Sequence, residues 1–123
     1  MVTNKPHQLK KAAKNLNAAI LAYEKRKAGD DLPFLALCKA LEVLMEYSWK
    51  ELKRLVEEAG LFAPSPREAI KQAAKLGIID RPDRWLAVLT ARNDSVHDYF
   101  GIPENAYLEF ARELLKLGAG LFR

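Results

Sequence analysis

The apolar period of this chain constrains it more than any other feature. Leu9, Ala12, Ala13, Leu16, Ile20 and Tyr23 recur at intervals of three and four with lysines between them, which is the repeat of an amphipathic helix. Gly29-Asp30-Asp31-Leu32-Pro33 breaks the pattern and restarts it, with Asp31 placed to cap a second helix near its proline. Phe34, Leu37, Cys38, Leu41, Met45, Ser48, Leu52 and Leu55 then share one face as far as Ala59, and Val43, Tyr47 and Trp49 widen it. About 26 residues at ~1.5 Å each make a rod of roughly 40 Å, long enough to be the spine of a bundle.

The same logic continues to the end of the chain. Gly60 stops the long helix, and Ser65-Pro66-Arg67-Glu68 reads as a capping box with proline at the first helical position. A short third helix is expected to about Lys75, with Ala69, Ile70, Ala73 and Ala74 inward and Gly77 as its stop. A fourth starts near Pro82. Ile102-Pro103-Glu104 opens a fifth with Tyr107, Phe110, Ala111, Leu114 and Leu115 inward. No stretch alternates with the period of a strand. The expectation is an all-α fold over residues 1–123 as one domain: an antiparallel four-helix bundle with one additional short helix, the long second helix packed beside the fourth.

Composition narrows the class. A chain of 123 residues, half of them hydrophobic, can enclose one core, and a charged fraction of 29% argues against disorder. No run approaches the ~18 apolar residues of a membrane helix, and Met1 to Lys11 show no secretory pattern. With a single cysteine, Cys38, no intramolecular disulfide can form, so a cytoplasmic, reducing compartment is expected and no membrane association. The net charge of +4 is uneven: Lys5, Lys10, Lys11, Lys14, Lys25, Arg26 and Lys27 face only Glu24 near the start of the chain. Such an end attracts phosphates or an acidic partner, or is a solvated helix face balanced elsewhere.

On the fourth helix, ~100° per residue places Trp85, Val88, Leu89, Arg92, Val96 and Tyr99 in one stripe. Arg92 is its one charge. A guanidinium on that face must be paired, snorkel to an edge, or line a cleft or subunit contact. Asn93 and His97 are neighbours on the adjoining flank, but His97 lies about 140° around from Arg92, so the two do not converge within one regular helix. A histidine, an arginine and an amide suit phosphodiester chemistry, with His97 moving a proton, Arg92 on phosphoryl oxygens and Asn93 orienting. No metal or cofactor is expected, because Asp94-x-x-His97 and an isolated His7 make no ligand set, and Cys38 falls on an apolar face where core packing outweighs a nucleophile.

The string Arg92-Asn93-Asp94-Ser95-Val96-His97-Asp98-Tyr99 resembles the R-x4-H-x-Y signature of the HEPN superfamily, in the branch of nucleotidyltransferase substrate-binding proteins, or HepT-like toxins. Flanking segments are similar to that branch too, among them Tyr47-Ser48-Trp49-Lys50, Ser65-Pro66-Arg67-Glu68-Ala69-Ile70 and Trp85-Leu86, so that the resemblance runs from about Leu9 to Leu117. It implies a homodimer and a minimal nucleotidyltransferase as partner and antitoxin. It further implies metal-independent RNA cleavage at a composite site in which Arg92, Asn93 and His97 of two protomers meet, and AMP transfer to Tyr99 that silences it. Asp98 beside His97 adds negative charge where RNA phosphate would approach. The alternative implied by the branch's other name is a non-catalytic substrate-binding subunit of a nucleotidyltransferase complex.

Overall fold

The computed structural model describes residues 5–98 and 100–123, with backbone alone at Lys5, Pro6, Val96 and His97. Among the described residues there are five helices and no strand: α1 (Lys5–Glu24), α2 (Leu32–Glu58), α3 (Pro66–Lys75), α4 (Pro82–His97) and α5 (Glu104–Leu117). The all-α bundle expected from the apolar period is the observed architecture.

Cross-helix contacts give the directions. The Tyr23 ring, late in α1, lies 6.1 Å from Phe34, early in α2, so these two run antiparallel. Arg92 of α4 reaches Glu46 of α2, while Ser95, one turn later, reaches Tyr107, whose hydroxyl points to the Cys38 carbonyl. As α4 advances α2 recedes, which makes them antiparallel neighbours, as expected. Arg84 pairs with Glu113 and Ser95 with Tyr107, so α5 folds back along α4.

One core draws on all five helices. Leu16, Leu37, Leu41, Leu44, Met45, Leu52, Ile70, Trp85, Tyr107 and Leu114 are all fully buried within it. On α2 the buried line passes through Leu44 and Val56, while Leu55 is half-buried, a small rotation from the expected face. On α5, Leu108 takes a core place and Phe110 and Leu115 pack at its margin.

The helix ends follow local chemistry with one correction. Ser65 caps α3, its Oγ accepting from the Glu68 N–H at 3.2 Å, and Gly77 leaves the helix at φ +76°, a conformation costly for any residue with a Cβ. Asp31 occupies the cap position of α2 but makes no side-chain cap. Asp30 does that work instead, its Oδ1 accepting from Leu32 N–H at 3.1 Å. Asp31 sits at φ −83°, ψ −16°, already helical, which leaves its carboxylate badly placed for the following N–H groups.

Candidate functional site

Arg92 sits about two-thirds of the way along α4, within the arc that Trp85, Val88 and Leu89 bury. Its stem runs out of that arc between α4 and α2, and the side chain is one-quarter exposed. There the guanidinium meets two oxygens: Nη1 donates to Asn93 Oδ1 at 3.0 Å and Nη2 lies 3.5 Å from Glu46 Oε1. Nε is buried and has no hydrogen-bond partner among the described residues. Two of the options open to an arginine on an apolar stripe are therefore combined, pairing and snorkelling.

Glu46 is the hinge of this arrangement. Trp49 Nε1 donates to its Oε1 at 3.1 Å and Lys50 Nζ stands 3.2 Å from Oε2. Partial burial raises its pKa, but the Trp49 and Lys50 hydrogen bonds and the charges of Lys50 and Arg92 outweigh that and hold it below the usual carboxylate value. Around the pair lies a hollow of about 400 Å³ lined by Lys39, Glu42, Val43, Glu46, Tyr47, Lys50 and Arg92. Three cations and two carboxylates leave it weakly positive, and a guanidinium at its wall can give a planar two-point contact to phosphate or carboxylate.

The adjoining side of the same helical turn, about 60° around from Arg92, is closed. Ser95 is fully buried; its Oγ donates to the Arg92 carbonyl at 2.9 Å and meets Tyr107 Oη at 3.0 Å, and Tyr107 Oη lies 3.4 Å from the Cys38 carbonyl. Burial drives the Tyr107 phenol well above its ordinary pKa and the Cys38 thiol up to about 12. Both stay neutral at physiological pH, so Cys38 is packing, not a nucleophile. This chain of hydroxyls ties the last turn of α4 to α5 and α2, and so fixes where Arg92 begins.

Of the expected site residues, Arg92 and Asn93 are brought together. His97 lies in the final turn of α4, and its side chain is outside the described residues, as is Tyr99 altogether. Asp98 acts in the turn: its Oδ1 accepts from Phe100 N–H at 3.1 Å and its carbonyl from Gly101 N–H at 3.1 Å. A Cβ at Gly101 would stand 2.6 Å from Asp98 Oδ2, so a larger residue there would push the Asp98 carboxylate aside. Among the described residues no group of three His, Cys, Asp or Glu gathers as for a metal, and no helix is long and apolar enough to cross a membrane. Ser95 and Glu46 are additions. Ser95 was signalled by its place seven residues after Val88, on the core line; Glu46 had no such signal, because its pairing crosses between helices.

A family model described as nucleotidyltransferase substrate binding protein like matches residues 4–101. The chain belongs to that family. Within the nucleotidyltransferase substrate binding protein-like family pattern fall α1 to α4 and the whole Arg92–Tyr99 segment, whereas α5, with Tyr107, lies beyond the match. The family's region thus includes the Arg92 hollow, and α5 supplies the lock behind it. No curated protein matches the chain.

Proposed function

We propose that this chain is the substrate-holding partner of a nucleotidyltransferase, with Arg92 as the contact for an anionic group of the substrate. One observation carries the reading: a guanidinium leaves an apolar stripe and opens, with Lys39 and Lys50, into a hollow that has room for a phosphate-bearing ligand. The family description supports the partner. Glu46 holds the guanidinium in place until an anion replaces it, and Asn93 orients it from the other side. In this reading the partner performs the transfer and this chain positions what is transferred or modified.

The test is co-purification with a minimal nucleotidyltransferase from the same genome, followed by nucleotidyl transfer assayed with wild type and Arg92→Ala. The variant should lower kcat/KM for transfer by about tenfold or more while remaining folded, and Arg92→Lys should restore little, since an ammonium lacks the fork geometry. No complex with such a partner, or undiminished transfer with Arg92→Ala, defeats the reading.

A second reading keeps chemistry in the chain: a HEPN-type toxin, a metal-independent endoribonuclease with a site composed across a homodimer and silenced when the partner adenylylates Tyr99. It draws support from Arg92 and Asn93 standing together at the surface on the helix that carries His97. His97 would accept the ribose 2′-hydroxyl proton as that oxygen attacks phosphorus; the P–O5′ bond would break to leave a 2′,3′-cyclic phosphate, the departing 5′-oxygen would take a proton from the imidazolium or from water, and Arg92 would hold the phosphoryl oxygens. Metal-independent RNA cleavage lost in His97→Ala, together with an AMP-sized mass gain lost in Tyr99→Phe, would favour this reading over the first.

A further inference from the structure

The first 29 residues hold seven of the twenty basic residues and one of the sixteen acidic ones, so the other 94 carry thirteen basic against fifteen acidic. The positive balance of the whole chain is therefore located on α1 and the turn after it. Its one acid, Glu24, is paired with Arg112. Lys10, Lys11 and Lys14 are exposed, and among the described residues no carboxylate lies within ion-pair distance of them. The contrast with α2 is sharp: there Lys39, Lys50, Lys53 and Arg54 each face a glutamate of their own helix. Three unneutralised ammonium groups within two turns repel one another, an arrangement that an anionic ligand relieves.

Beside this ridge lies a second hollow, of about 300 Å³, whose wall holds Gln8, Lys11, Asn15 and Tyr47. A phenol ring, two amides and an ammonium are groups that stack a base, bond its edge and hold its phosphate. Val43 and Tyr47 line both this hollow and the one at Arg92, so the two surfaces adjoin.

We propose that the lysine ridge of α1 with the Tyr47 hollow is a binding surface for single-stranded nucleic acid. The lysines neutralise backbone phosphates, and Tyr47 with Gln8 and Asn15 receives a base. An acidic protein helix fits less well, since lysine is depleted in the cores of protein interfaces and, among the described residues, the ridge offers only Leu21 as a large exposed apolar side chain. The inference stands apart from the proposed function, because the α1 lysines lie outside the Arg92 hollow even though Tyr47 lines both, and it survives if Arg92 binds nothing.

Fluorescence anisotropy of the full chain with short labelled oligo-uridylate and oligo-thymidylate, across a salt series, tests it. Lys10→Gln/Lys11→Gln/Lys14→Gln should weaken binding about tenfold or more at low salt and flatten the slope of log K against log salt by about 2. The equally charged control Lys71→Gln/Lys75→Gln/Lys116→Gln should keep wild-type slope. Tyr47→Ala should weaken binding about tenfold with the slope unchanged, and Tyr47→Trp should restore it. Preference for oligo-uridylate over oligo-thymidylate assigns the ligand to RNA, and equal binding to either polymer, both outcomes supporting the surface. Equal loss in both lysine triples, no loss in the α1 triple, or tighter binding to polyglutamate than to either oligonucleotide overturns the proposal.

Discussion

Arg92 and Ser95 are both polar, stand less than one turn apart on α4, and are held in opposite ways. Ser95 is sealed in the core, bonded to its own helix and, through Tyr107, to α5 and the α2 backbone. Arg92 is held by a partly exposed carboxylate and a neighbouring amide, contacts that cost little to exchange for a ligand. The inner face of this turn is rigid so that the outer face can be adaptable. A charge on a long stem is useful only if its root is fixed, and the buried hydroxyl chain fixes it.

Tyr107→Ala should have the largest effect, removing a fully buried ring and the junction of the chain; a loss of about 3–5 kcal/mol is expected in urea denaturation. Should it cost less than about 1 kcal/mol, the inner face is not rigid and the contrast fails. Ser95→Val comes next, at about 1–3 kcal/mol, because Tyr107 loses a buried partner while the volume is kept. Its Arg92-dependent activity should fall further than Arg92-independent binding, the mark of a displaced rather than absent guanidinium.

The smallest effect lies on the outer face. Glu46 has a folded-state pKa below its unfolded value, so its interactions add stability above the unfolded pKa, and that is lost as pH falls through the folded one. Because the carboxylate is 39% exposed, solvent screening holds the effect to about half a kcal/mol or less, seen as a shallow decline below about pH 5 that Glu46→Gln abolishes. A steep decline surviving in Glu46→Gln would place the acid sensitivity elsewhere, for instance at Glu113, whose pKa the Arg84 hydrogen bonds lower.

The helices were legible because what makes them is local. The three-and-four spacing from Leu9 to Tyr23, Ser65 before Pro66, and Gly77 after Lys75 act within about four residues, the range over which a helix forms its own bonds. The exception at Asp30 and Asp31 has the same root. Two adjacent carboxylates can serve one helix start, and a difference of a few tens of degrees in ψ chooses between them.

The candidate site divides along the same line. Sequence alone singled out Arg92, since a charge inside the Trp85–Leu89 stripe is visible to any helical count, and it placed Asn93 beside it. Tertiary structure alone decided that Glu46 receives the guanidinium, that Ser95 is sealed against Tyr107, and that Tyr47 stands between the α1 lysines and Arg92. These pairs lie 46, 12 and about 40 positions apart. Their meeting depends on how each helix is rotated and how the bundle crosses, and those angles are set by the summed packing of the whole core, which no short window of sequence contains.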